Sequence, residues 1–303
     1  MAISGFDEQE FTHDGVTKTV YRKGAGPGVI VITEVPGIHP GVIDFATMLA
    51  GQGFSVALPE LFGVTGKPVT IPYALGTMAK LCVSREFKLL AAHESSPITE
   101  WLRALARKLH GELGGPGVGA IGMCLTGNFA LSMAVEPALM APVLSQPALP
   151  LPVGKERSAS LAVSPSELAT IKRRVDNEGY KVLGLCFTAD AKVPRARFET
   201  LKQELREGFE AIEIDSGPGN PHGIKKEAHS VLTVDLVRDA GHPTEQALQR
   251  VFAFLHERLG PVTPAAVVCP GVPASHSKQQ SRTSPSSQQG PDLPDASTSE
   301  SSW

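Results

Sequence analysis

The sequence is short of the features that mark several protein classes. No apolar run approaches the ~20 residues a helix needs to cross a bilayer, so neither a membrane-spanning segment nor a membrane partner is expected. Cysteine is scarce: Cys82, Cys124, Cys186 and Cys269 are the only four in 303 residues, and no two form a CxxC pair. That scatter excludes a zinc ribbon and a disulfide scaffold, and it points to reduced thiols in a cytoplasmic chain. No helical HxxxH arrangement is present to hold a metal, and no cofactor is implied. Surplus charge is also missing, since 28 Lys and Arg stand against 31 Asp and Glu, a net charge of −3. This near-balance gives no electrostatic reason to expect nucleic acid as a partner. The first residues, Met1 to Glu8, carry neither a basic stretch nor an apolar one, so no secretory signal is expected.

Glycine and proline are plentiful, at 30 and 25 residues. Part of that surplus lies beyond residue 262, where Ser, Pro and Gln dominate and few apolar side chains remain. Too little can be buried there to offset the entropy of ordering, so 262–303 is expected to be a disordered tail. Residues 1–261 then form one domain in which strands and helices alternate. Val16–Tyr21 alternates like a half-exposed strand. Gly28–Thr33, Phe54–Leu58, Gly117–Met123, Met140–Leu144, Lys181–Thr188 and Ala211–Ile214 read as further strands. The first of these six has no polar face, as befits a strand buried on both sides. Helices are expected over 42–52, 98–112, 125–136, 164–177, 194–209 and 243–259. This order implies an α/β fold: a mostly parallel sheet, helices on both faces and short antiparallel strands at the N-terminus. Reactive groups then belong at the carboxyl ends of strands.

One strand end stands out. Gly122-Met123-Cys124 closes a strand and Leu125 opens a helix, the strand–turn–helix setting of a nucleophile elbow with Cys as nucleophile. Gly122 leaves room for a tight turn, and the helix start behind Cys124 favours negative charge on sulfur. The Leu125 amide is placed to stabilise an oxyanion. An acid and a histidine should follow in that order. Asp190 lies just beyond the Lys181–Thr188 strand, where a helix-capping role is also open to it. His222, His229 and His242 lie between the last strand and the closing helix. His229 is preferred, because His222 sits in a Gly/Pro stretch and His242 at a helix entry. After the Gly28–Thr33 strand comes Thr33-Glu34-Val35-Pro36-Gly37. Proline lacks an N–H, so Val35 is the candidate second oxyanion donor. Glu34 is a carboxylate aimed at the same edge.

These residues resemble the dienelactone hydrolases of the α/β-hydrolase fold, over roughly residues 10–260. The marks are Gly122-Met123-Cys124-Leu125-Thr126-Gly127, Glu34-x-x-Gly37, Asp190 with Val193-Pro194, and His229-Ser230. The resemblance implies a nucleophile at Cys124, a base at His229 and an orienting acid at Asp190. It also implies that Glu34 interacts with the resting cysteine and helps to generate the thiolate. Known members open cyclic enol lactones, so a small-molecule lactone or ester is the implied substrate. The family binds a substrate carboxylate through arginines, for which Arg85 is the candidate. Thr126 and Asn128 stand where many members have glycine. Two other readings fit the same cysteine: a non-catalytic protein of this fold that binds a small carboxylate, and a redox role with Cys82 or Cys186 as resolving thiol.

Overall fold

The computed structural model describes residues 3–82, 96–149 and 154–260. Within them eight strands form one sheet: β1 Asp7–His13, β2 Val16–Lys23, β3 Gly28–Ile32, β4 Ser55–Pro59, β5 Val118–Met123, β6 Leu139–Ser145, β7 Val182–Phe187 and β8 Phe209–Ile214. The helices are α1 Pro40–Gly51, α2 Ile71–Cys82, α3 Pro97–Leu113, α4 Gly127–Ser132, α5 Lys155–Ala159, α6 Pro165–Glu178, α7 Arg195–Leu205 and α8 Pro243–Leu259. None of them is long and apolar enough to cross a membrane.

The strand order is β1-β2-β4-β3-β5-β6-β7-β8. β1, β2 and β4 pair antiparallel, and every pairing from β4 through β8 is parallel. This is the mostly parallel sheet with antiparallel N-terminal strands that the alternation predicts. The central strands read as unbroken apolar runs because each face has its own core. Ile30 and Ile32 join the core built with α3 and α7, while Val29 and Val31 join the one built with α1 and α8. The chain runs from β3 to β4 on one side, then returns to lay β5 on the other side of β3. That reversal opens a crevice at the carboxyl ends of β3 and β5.

Local chemistry sets most helix boundaries. At α6 the Ser164 hydroxyl accepts from Glu167 N at 3.2 Å and the Glu167 carboxylate accepts from Ser164 N at 2.9 Å, a reciprocal cap that satisfies two end amides. α3 buries Trp101, Leu102, Leu105 and Leu109, the stripe expected from its periodicity.

Three expectations need correction. The helix expected over 125–136 is divided into a 3-10 turn Cys124–Thr126, then α4, then a second 3-10 turn Met133–Val135. At its start the Thr126 side chain bonds back to the Met123 amide, which tightens the first turn. α7 stops at Leu205, where Arg206 takes φ 48°, and Phe209 begins β8 instead of extending the helix. Phe209 packs edge-on against Phe198, 5.6 Å between ring centres, so its apolar side is shared with α7 across the turn. α2 has no counterpart among the sequence expectations; its Ile71 and Leu75 are 78% and 66% exposed, while Met78 packs against the core. Arg85 and the segment 262–303 lie outside the described residues.

Candidate active site

Cys124 follows β5 directly and adopts φ 58°, a left-handed conformation that non-glycine residues rarely take. Gly122 makes the turn feasible: a Cβ there would lie 2.3 Å from the Thr126 carbonyl oxygen. The Thr126 hydroxyl accepts from Met123 N at 2.8 Å and lies 2.7 Å from the Ile32 carbonyl, to which it donates, tying the elbow to the end of β3. Asn128 braces the other side. Its amide nitrogen donates to Leu125 O at 2.7 Å and Ala148 O at 2.9 Å, and its oxygen accepts from Arg197 at 2.6 Å. The two positions that depart from the family pattern therefore carry side chains that hold the elbow from both flanks.

Asp190 sits in the turn after β7. Its Oδ1 accepts from Lys192 N at 3.0 Å, and its Oδ2 accepts from His229 Nδ1 at 2.5 Å. The capping role open to it in sequence falls elsewhere, since Pro194 occupies the α7 N-cap. The His229 and Ser230 amides donate to Asp235 Oδ2 at 2.8 and 2.9 Å, which fixes the backbone beneath the imidazole. His229 Nε2 is buried with no acceptor in hydrogen-bonding geometry, yet the Cys124 side chain is close enough to act on the ring. Burial works against charge on this imidazole, but the Asp190 carboxylate and Cys124 outweigh it and carry its pKa up to about 10. His222 and His242 lie apart from this group. Their rings meet edge-on at 5.5 Å, and His242 Nδ1 accepts from Thr244 N at the start of α8.

Glu34, just past β3, is 3% exposed. One carboxylate oxygen accepts from His39 Nε2 at 3.2 Å and from the Thr233 hydroxyl. The other accepts from Ser230 Oγ at 2.6 Å and Gln146 Nε2 at 3.0 Å. Burial alone would favour the neutral acid, but hydrogen bonds from His39, Ser230 and Thr233 lower its pKa below the ordinary value. Among the described residues Glu34 makes no hydrogen bond to Cys124, its four partners being other side chains. The Glu34–Gly37 turn closes through Gly37 N to Glu34 O at 2.7 Å. Gly37 has φ 123°, and a Cβ on it would meet Phe62 O at 2.4 Å, so the loop packs tightly on its neighbour. Among the described residues, neither the Val35 nor the Leu125 amide donates to a turn, loop or cap acceptor.

Several residues of this cluster escaped sequence reading: His39, Gln146, Thr233, Asp235 and Arg197. Gln146 was within reach, because a Ser-Gln pair ending the apolar β6 satisfies the same strand-end rule that found Asp190. Cys186 is buried on β7, where burial, with Glu213 and Asp190, pushes its thiol up to about 12. Among the described residues no three His, Cys, Asp or Glu side chains gather as metal ligands would.

Comparison with known proteins bears on the same region. The model of the dienelactone hydrolase family matches residues 16–259. A protein of Salmonella typhi named "Putative carboxymethylenebutenolidase" is 29% identical over 206 residues, covering 66% of this chain and 68% of that one. The crystal structure of a "Putative Dienelactone Hydrolase" from Klebsiella pneumoniae matches with a TM-score of 0.55 at 22% identity, covering 83% of this chain and 98% of that one. The dienelactone hydrolase of Anabaena variabilis matches with a TM-score of 0.52 at 16% identity, covering 84% of this chain and all of the other. At these identities the two structures speak for the fold.

Proposed function

The chain belongs to the dienelactone hydrolase family and is a hydrolase of small-molecule esters or lactones, and from that premise we propose that it works through Cys124, His229 and Asp190 by way of a thioester. The observation that carries the reading is the line of contacts from Asp190 Oδ2 through the His229 ring to Cys124, which sits in a left-handed elbow. In this reading His229 takes the Cys124 proton and so supplies the attacking thiolate. Sulfur attacks the acyl carbon, and the Val35 and Leu125 amides stabilise the oxyanion. The bond to the leaving oxygen breaks, and His229 Nε2 gives that oxygen its proton. Water then attacks the thioester, its proton passes to His229, and the acid departs as the thiolate re-forms. Asp190 keeps the imidazole in one tautomer throughout. A thiolate is a good leaving group, so activated esters such as enol lactones suit this site better than amides. Arg85 is proposed as the partner of a substrate carboxylate.

A panel of p-nitrophenyl esters and small lactones tests the proposal. Wild type should hydrolyse at least one member and accumulate an acyl adduct on Cys124, seen by mass spectrometry. Cys124→Ala should lose hydrolysis entirely, and His229→Ala should lose at least about a hundredfold. Undiminished hydrolysis by Cys124→Ala would mean that another nucleophile does the chemistry.

A further inference from the structure

We propose that Glu34 is the anchor of the histidine loop, and that Thr233, Gln146 and His39 are positioning residues that complete the anchor. The inference rests on the triad reading above and gives its glutamate a different task. A carboxylate offers about four lone-pair sites. All four on Glu34 are taken, by His39 and Thr233 on one oxygen and by Ser230 and Gln146 on the other.

The donors are placed to hold one particular segment. Ser230 and Thr233 follow His229 on the same loop. Gln146 bridges the loop and its anchor, because its Nε2 donates to Glu34 while its Oε1 accepts from Val231 N at 3.3 Å. Asp235 secures the His229 and Ser230 amides from within the loop, and Glu34 secures the side chains from outside it. The loop is thus fixed to the end of β3, the end of β6 and the start of α1 at once. Its cargo is the imidazole, which must face Asp190 with one nitrogen and Cys124 with the other. A misplacement on the order of 1 Å in such a group costs about a hundredfold in rate.

Thr233→Val tests the anchor, because it removes one tether of the loop and leaves the Glu34 carboxylate in place. An anchor predicts that kcat falls about ten- to a hundredfold with KM nearly constant, since the loop holds the base and not the substrate. It also predicts that Thr233→Ser, which restores the donor, recovers kcat. Ser230→Ala should behave like Thr233→Val. Adding Thr233→Val to Glu34→Gln should cost much less than it does alone, because both act through one contact. The downfield proton resonance of His229 Nδ1 in its bond to Asp190 should be sharp in wild type and in Cys124→Ala, and broadened in Thr233→Val. All variants are compared below their own melting temperatures. If folded Thr233→Val and Ser230→Ala both keep wild-type kcat and a sharp resonance, the anchor role is overturned. Activity in Cys124→Ala, by contrast, would overturn the nucleophile and leave the resonance test intact.

Discussion

At His229 two forces act against each other, and the balance has a consequence for stability. Burial disfavours the imidazolium, while Asp190 and Cys124 favour it and prevail, with a folded-state pKa of about 10. An unfolded histidine titrates near ~6.5. Between those values the folded protein binds a proton that the unfolded chain releases, so stability falls as pH rises. The contribution is complete below the unfolded value and is lost as pH passes the folded one. Urea unfolding of wild type should therefore weaken from neutral pH towards pH 10 more steeply than that of His229→Gln. Parallel curves for the two proteins would contradict a raised pKa. The triad candidates were readable in sequence because each follows a strand or loop whose pattern is local. Their supports were not: nothing near His39 or Thr233 hints that both reach the same carboxylate.

Among the elements, α7 and α4 are joined through a buried guanidinium. Arg197 is fully buried, and burial lowers its pKa. It donates to Ser160 O at 2.7 Å and to Asn128 Oδ1 at 2.6 Å, and Asn128 in turn holds the Leu125 carbonyl. Arg197→Met would leave the buried Asn128 Oδ1 without its charged donor. The expected loss is about 2–4 kcal/mol of unfolding free energy, measured in urea. A loss below about 1 kcal/mol would mean that the guanidinium contributes little beyond its volume. Element identity was legible wherever a residue pattern met a matching core, as in α3, α6 and α8. Ends were less so. α7 ran long in sequence because Phe209 continues an apolar pattern that the chain spends on β8, after a left-handed Arg206.

For the molecule as a whole, the order of the strands decides where chemistry happens. The reversal between β4-β3 and β5 places Glu34 and Cys124 at neighbouring strand ends, and the Thr126 bond to Ile32 O joins the two. One hydrolase domain over 1–261 followed by a separate tail remains the proposed organisation, on compositional grounds. It predicts that a chain ending at Pro261 keeps kcat/KM within about twofold and the same melting temperature, because the tail's composition leaves it too little apolar surface to add to a core. A lower melting temperature in the shortened chain would show that residues beyond 261 contribute to the fold.

The sequence alone determined the fold class, the elbow at Cys124 and the chain order of the candidate nucleophile, acid and base. Those features depend on strand patterning, on Gly122 and on proximity along the chain, all of them local. The tertiary structure alone decided what Glu34 binds. Its partners Gln146, Ser230 and Thr233 are 112, 196 and 199 residues away, and only the folded chain brings them within hydrogen-bonding reach. A buried carboxylate must find donors wherever the fold delivers them, and separations of that size leave no trace in a linear pattern.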